Sequence, residues 1–156
     1  MTPLVFVHGF MGGSEQWEKQ LDELSKEYKL ITIDLPGFGK NNQLPAINSI
    51  YSFSKWVIAE LKKKNIKKYH LLGHSMGGMI VQEMVRTDSQ NIDKLILYGT
   101  GSLGVLPGRF ETIMHSKTRA KNDGASETAA RISATWFLDY HNSIAYEGCS
   151  KIAKRS

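Results

Sequence analysis

The residues best suited to chemistry in this chain stand in one pentapeptide, Gly73-His74-Ser75-Met76-Gly77. It follows an apolar run, Tyr69-His70-Leu71-Leu72, and precedes Met79, Ile80, Met84 and Val85 at helical spacing. A strand that turns abruptly into a helix strains its corner residue and leaves the flanking positions no room for a Cβ. Gly73 and Gly77 meet that demand, and Gly78 keeps the helix close to the sheet. The Ser75 hydroxyl is thereby held outward beside a helix N-terminus and its positive potential. A serine so placed suits attack on a carbonyl.

A second segment could serve the same reaction. His8-Gly9-Phe10-Met11-Gly12-Gly13 lies at the end of the first apolar run, Leu4 to Val7. Attack on a carbonyl builds negative charge on its oxygen, which needs N–H donors already in place. The amide of Met76, just after the serine, is one candidate. The amide of Phe10, in a loop loosened by Gly9 and its neighbours, is the other. A third segment, Asp34-Leu35-Pro36-Gly37-Phe38-Gly39, closes the next apolar run. Its aspartate is expected to be structural, bonding the amides of the Pro-Gly turn.

Positioning these groups requires a sheet. Leu4–Val7, Leu30–Ile33, Tyr69–Leu72 and Leu95–Tyr98 read as short buried strands. Between them, Ser14 reads as an N-cap ahead of Trp17, Leu21 and Leu24, and Trp56, Val57 and Leu61 mark a helix ending near Asn65. Strands separated by helix-length crossovers give an α/β fold, a parallel sheet of four strands with helices on both faces. From about Gly101 the strand-like runs cease. Residues 109–121, 125–138 and, more weakly, 142–154 read as helices, with Ala129, Ile132 and Trp136 on one face of the second. In the third, Ile144, Cys149 and Ile152 fall partly on one side. The division is therefore 1–101, an α/β core, and 102–156, a helical segment.

In order and context, these segments resemble the α/β-hydrolase superfamily in its serine-nucleophile branch. The resemblance covers residues 4–101, and 102–156 looks like the start of that family's cap. It implies that Ser75 is the nucleophile and that the Phe10 and Met76 amides form the oxyanion hole. It implies the strand order second-first-third-fourth, whose reversal leaves a crevice at the carboxyl edge of the sheet. The expected reaction is hydrolysis of a small ester, lactone or related acyl substrate through an acyl-enzyme. Carbon–carbon bond hydrolases, the menaquinone-pathway lyase and cofactor-free haloperoxidases share the motifs, and so could a hydrolase-like scaffold that only binds.

The resemblance also implies an acid and a histidine on loops after later strands. None of the five histidines fits: His8 is in the first loop, His70 inside the third strand, His74 beside the serine and turned elsewhere, His115 and His141 on the helical segment. No acid directly follows the fourth strand, where Gly99-Thr100-Gly101-Ser102 stands. Losing the histidine of a serine triad costs on the order of 10⁶ in turnover. The 156 residues alone are therefore expected to be a poor catalyst with raw sheet edges. They are expected to be the N-terminal part of a longer enzyme, through truncation, cleavage or partial coverage, or to be completed by a second chain.

Composition narrows the classes further. The 156 residues are 41% hydrophobic and 22% charged, the make-up of one ordinary globular core rather than a disordered chain. The net charge of +5 invites a nucleic-acid reading. Five of the 12 basic residues before position 101, however, are Lys62, Lys63, Lys64, Lys67 and Lys68, a solvated helix end without interleaved aromatics. No nucleic-acid or membrane partner is expected, and no metal or other cofactor. A lone Cys149 and the lack of a signal-peptide pattern at Met1 lead to a cytoplasmic expectation.

Overall fold

Short apolar runs bury both faces best when they pair in parallel and helices pack above and below them. A computed structural model, which describes residues 1–103 and 111–156, shows that arrangement. Strands β1 (Leu4–Val7), β2 (Leu30–Ile33), β3 (Tyr69–His74) and β4 (Ile92–Tyr98) form one sheet in the order β2-β1-β3-β4, with every pair parallel. A 3₁₀ turn at Ser14–Trp17 leads into α1 (Glu18–Leu24), and α2 (Ile50–Lys63) and α3 (Met76–Asp88) are the later crossovers. The order is the one expected. Val7 pairs with both Ile33 and Gly73, so the segments after β1, β2 and β3 emerge together at one edge.

The alternation of β1 divides its side chains between two layers. Val5 and Val7 join Val57 and Leu61 of α2, Ile80, Val81 and Met84 of α3, and Leu71. Leu4 and Phe6 face Trp17, with Leu21, Leu24, Leu30 and Leu72 packed around them. Cover is thin at β4, where Leu95, Ile96, Leu97 and Tyr98 are 37–63% exposed along the sheet edge. Helix α2 starts at a true cap, Ser49 Oγ accepting from the Ser52 amide at 3.1 Å, and ends in lysines that stay exposed.

Beyond β4, α4 (Ile113–Ala134) and α5 (Tyr146–Lys154) pack on each other. Helix α4 is two arms separated at Gly124, whose φ of +77° and ψ of 175° are not helical. Residues 109 and 110, where a helix was expected to begin, lie outside the described residues. The second arm stops at Ala134 rather than 138. The Thr135 amide and hydroxyl both turn back to the Ile132 carbonyl, so Trp136 sits past the helix end. Helix α5 starts at Tyr146 rather than 142, because the Asp139 carboxylate holds the His141 and Asn142 amides in a turn. Ile144, expected partly on its inner side, is 95% exposed.

No helix among the described residues is long and apolar enough to cross a membrane. The contrast between the middle and edge of the sheet is measurable. Leu71→Ala, at a fully buried position, should cost about 2–5 kcal/mol, whereas Leu97→Ala, 46% exposed, should cost under about 1 kcal/mol. Urea unfolding midpoints of the two variants check this, and equal losses would contradict the described cover.

Candidate active site

At the corner between β3 and α3, Ser75 takes φ +54° and ψ −121°, a region that a residue with a Cβ occupies only at a cost of about 1–3 kcal/mol. Hydrogen bonds at both of its peptide groups hold it there, one from the Met79 amide to the Ser75 carbonyl at 3.4 Å among them. The Ser75 amide donates to the Tyr98 carbonyl at 3.1 Å, and its carbonyl accepts from the Gly78 amide at 2.9 Å and Thr100 Oγ1 at 2.7 Å. Space explains the flanking glycines. A Cβ on Gly73 would lie 2.5 Å from the Gly77 carbonyl oxygen and Val81 Cγ2, and one on Gly77 would strike the Val7 and His8 carbonyls. Neither glycine has a positive φ; the serine alone carries the strain. Gly78 makes room chiefly for the Thr100 side chain, so it serves the loop after β4 rather than the sheet.

The loop after β1 presses against this corner. A Cβ on Gly9 would lie 2.9 Å from Ser75 Cβ and 3.4 Å from its Oγ. The loop is not loosened by its glycines as expected. The Gly12 amide donates to the Gly9 carbonyl at 3.1 Å, and the positive φ, +57°, falls on Met11. Phe10 is half exposed, its ring edge-on to Phe38 at 5.8 Å. Neither the Phe10 nor the Met76 amide donates to another group among the described residues. Met76 opens α3, where amides have no carbonyl a turn earlier to bond.

Two residues that invite a catalytic reading are committed elsewhere. His8 is fully buried; its Nδ1 lies 2.8 Å from the Gly9 carbonyl, and its Nε2 accepts from the Leu35 amide at 3.0 Å. That pattern fits only the neutral ring, and burial lowers its pKa against the raising influence of Gly9 and Asp34. Asp34 is structural, but its carboxylate does not bond the Pro-Gly turn. The Gly37 and Phe38 amides already donate to the Asn41 and Leu35 carbonyls. The carboxylate instead takes the Ser14 amide at 2.7 Å and the Ser14 hydroxyl at 2.9 Å. Ser14 is therefore not the expected N-cap: Gly13 holds that position, and the hydroxyl is spent on Asp34.

Ser75 opens onto a cleft of about 640 Å³ between the sheet edge and the helical pair. Trp17, Tyr98, Ile132, Trp136, Cys149 and Ile152 are among its walls. His74 turns away from the serine, its ring between Trp17 and Tyr98, with Nδ1 3.4 Å from Gln16 Nε2. Burial lowers its pKa too. His70 is only half-buried, its Nδ1 lacking a partner, while His115 and His141 are exposed on the helical segment. Ser75 Oγ bonds to none of these histidines, nor to any other group among the described residues. Thr100 and Gln16 carried no sequence signal of their own, since both act through contacts with distant segments. Among the described residues, no three His, Cys, Asp or Glu side chains gather as a metal site.

A sequence model of the alpha/beta hydrolase fold matches residues 2–137. The dihydrolipoyllysine-residue acetyltransferase component of the acetoin cleaving system of Pseudomonas putida is 36% identical over 103 residues, 66% of this chain and 28% of that protein. An (E)-2-((N-methylformamido)methylene)succinate hydrolase of Acinetobacter baylyi is 37% identical over 78 residues, 50% of this chain and 30% of its own length. Among solved structures, the enol-lactonase of Burkholderia xenovorans superposes with a TM-score of 0.83 at 17% identity, over 99% of this chain and 62% of that one. The chain thus spans under a third of those two curated relatives.

Two outcomes follow from the packing and the buried rings. Gly77→Ala pushes a methyl into two backbone carbonyls and should cost about 1–3 kcal/mol or more, read as a lowered urea midpoint. His8 and His74 both have lowered pKa values when folded, so near pH 6.5 the unfolded chain binds protons that the folded chain refuses. Their contribution is intact above about pH 6.5 and is lost as pH falls toward the folded values. Thermal melts should therefore show Tm dropping between about pH 7 and 5.5, and a level Tm would show that these rings are not buried neutral.

Proposed function

The chain belongs to the alpha/beta hydrolase family, and from that membership we propose that it is the Ser75-bearing part of a hydrolase for small ester, lactone or related acyl substrates. The observation that carries this reading is the strained corner. A hydroxyl held at positive φ, without a partner among the described residues and facing a cleft, costs stability that a relaxed turn would not.

In the proposed reaction, Ser75 Oγ attacks the substrate carbonyl as its proton passes to a base. The Phe10 and Met76 amides, both without acceptors among the described residues, take the developing oxyanion. Collapse expels the alcohol with a proton, leaving the acyl group as an ester on Ser75, and water then releases the acid. The base is proposed to come from outside the described residues: His8 and Asp34 are bonded elsewhere, and His74 faces Gln16. Residues 102–156 are proposed to act as the cap, since Met11 of the core packs with Ala129 and Ala153 of the helical pair. Similarity to the Acinetobacter hydrolase and the fold shared with the enol-lactonase support hydrolysis as the reaction class.

The serine without a partner base favours a second reading, a scaffold that binds without turnover. Fluorophosphonate labelling of the full-length or assembled protein, in which the base is present, separates the two. A label on Ser75 that is absent in Ser75→Ala supports the nucleophile; an unlabelled Ser75 in the folded protein, with its cleft accessible, supports the binder.

A further inference from the structure

The walls of the cleft differ from the rest of the protein in one respect. The chain as a whole is 22% charged. Among the described residues, the cleft is lined by sixteen, and none is Lys, Arg, Asp or Glu. Apolar groups dominate it, with the Gln16 and Gln20 amides, the Tyr98 and Ser75 hydroxyls and the His74 ring as its polar points. Burial lowers the pKa of the His74 ring and so disfavours its charged form. Across Ile152, which also faces the neighbouring groove, the Arg155 guanidinium is spent on Glu15, 2.9 Å from both carboxylate oxygens. That cation lines the neighbouring groove and is not among the residues of the cleft.

We propose that this cleft selects uncharged acyl substrates, esters whose acyl and alcohol parts are both neutral and largely apolar, and rejects those carrying a second, free carboxylate. This rests on the reading of Ser75 as the site of attack and adds the substrate class to it. The physical reason is desolvation. A carboxylate drawn against the aromatic and aliphatic walls, away from the two amides beside Ser75, loses its hydration and meets no cation among the described residues. A neutral ester loses little water and gains apolar contact. Roughly twenty non-hydrogen atoms would fill such a volume, taking about 30 Å³ for each. A compact ester is within that size.

Trp17 and Trp136 line the cleft and report its occupation. The test titrates the full chain, as Ser75→Ala to prevent turnover, with dimethyl adipate and with monomethyl adipate at neutral pH, following tryptophan emission. The two probes share their carbon backbone and differ in one carboxylate. The neutral diester should bind on the order of tenfold tighter or better. Equal binding, preference for the anion, or no response to either probe overturns the proposal. Ile132→Arg should then narrow or reverse the preference by supplying the missing cation. A circular dichroism melt verifies its fold, and Trp136→Arg, at a half-exposed position, repeats the test should that variant unfold. A preference unmoved by either arginine also overturns it. Fluorophosphonate labelling of the full-length or assembled protein, with Ser75 unaltered, keeps the two readings apart. Labelling without a neutral preference removes the substrate class alone, and preference without labelling removes the nucleophile alone.

Discussion

Everything at the functional edge depends on one strained backbone position. Ser75 can stay at positive φ only because its surroundings fix both of its peptide groups. Tyr98, at the end of β4, receives its amide; Thr100, just beyond, donates to its carbonyl. From the other side, β1 passes so close that its carbonyls fill the space where a side chain on Gly77 would go. The corner is therefore a product of three parallel strands in register, not of the pentapeptide alone. The same register brings the Gly9 turn against the serine.

The polar groups around the corner are mostly spent on structure, which is why a single hydroxyl stands out. His8 ties the end of β1 to the end of β2 through the Leu35 amide, and Asp34 ties β2 to the turn that starts at Ser14. Each is a buried or half-buried group whose hydrogen bonds are met within the fold, as burial requires. Helix α5 is fastened to the same turn by Arg155 on Glu15, and its backbone accepts from Asn42. That ion pair is half exposed and modest in strength. The apolar contact of Met11 with Ala129 and Ala153 does more to seat the helical pair over the cleft. The result is a cleft whose floor is rigid strand ends and whose roof is two helices.

Several features were legible in the sequence because they obey local rules. Apolar runs of four residues placed all four strands, and the pentapeptide placed the corner. Glycine spacing even separated the strained residue from those that only make room. Other readings failed where a competing partner lay far along the chain. Ser14 has the chemistry of a helix cap, but an aspartate twenty residues later claims its hydroxyl. The Pro-Gly turn has amides an aspartate could bond, but backbone carbonyls reached them first. The helix ends at 134 and 146 shifted because Thr135 and Asp139 satisfy nearby backbone groups in a non-helical way.

The sequence by itself determined the α/β alternation, the positions of the strands and the outward serine, because periodicity and the absence of a Cβ are properties of consecutive residues. Only the tertiary structure decided which groups remain free beside that serine. It committed His8 and Asp34 to bonds across strands, pinned the corner through Thr100, and gathered uncharged side chains from both ends of the chain around one cleft. The physical reason is that a donor or acceptor takes whichever partner folding brings within about 3 Å, and no local spacing records that distance.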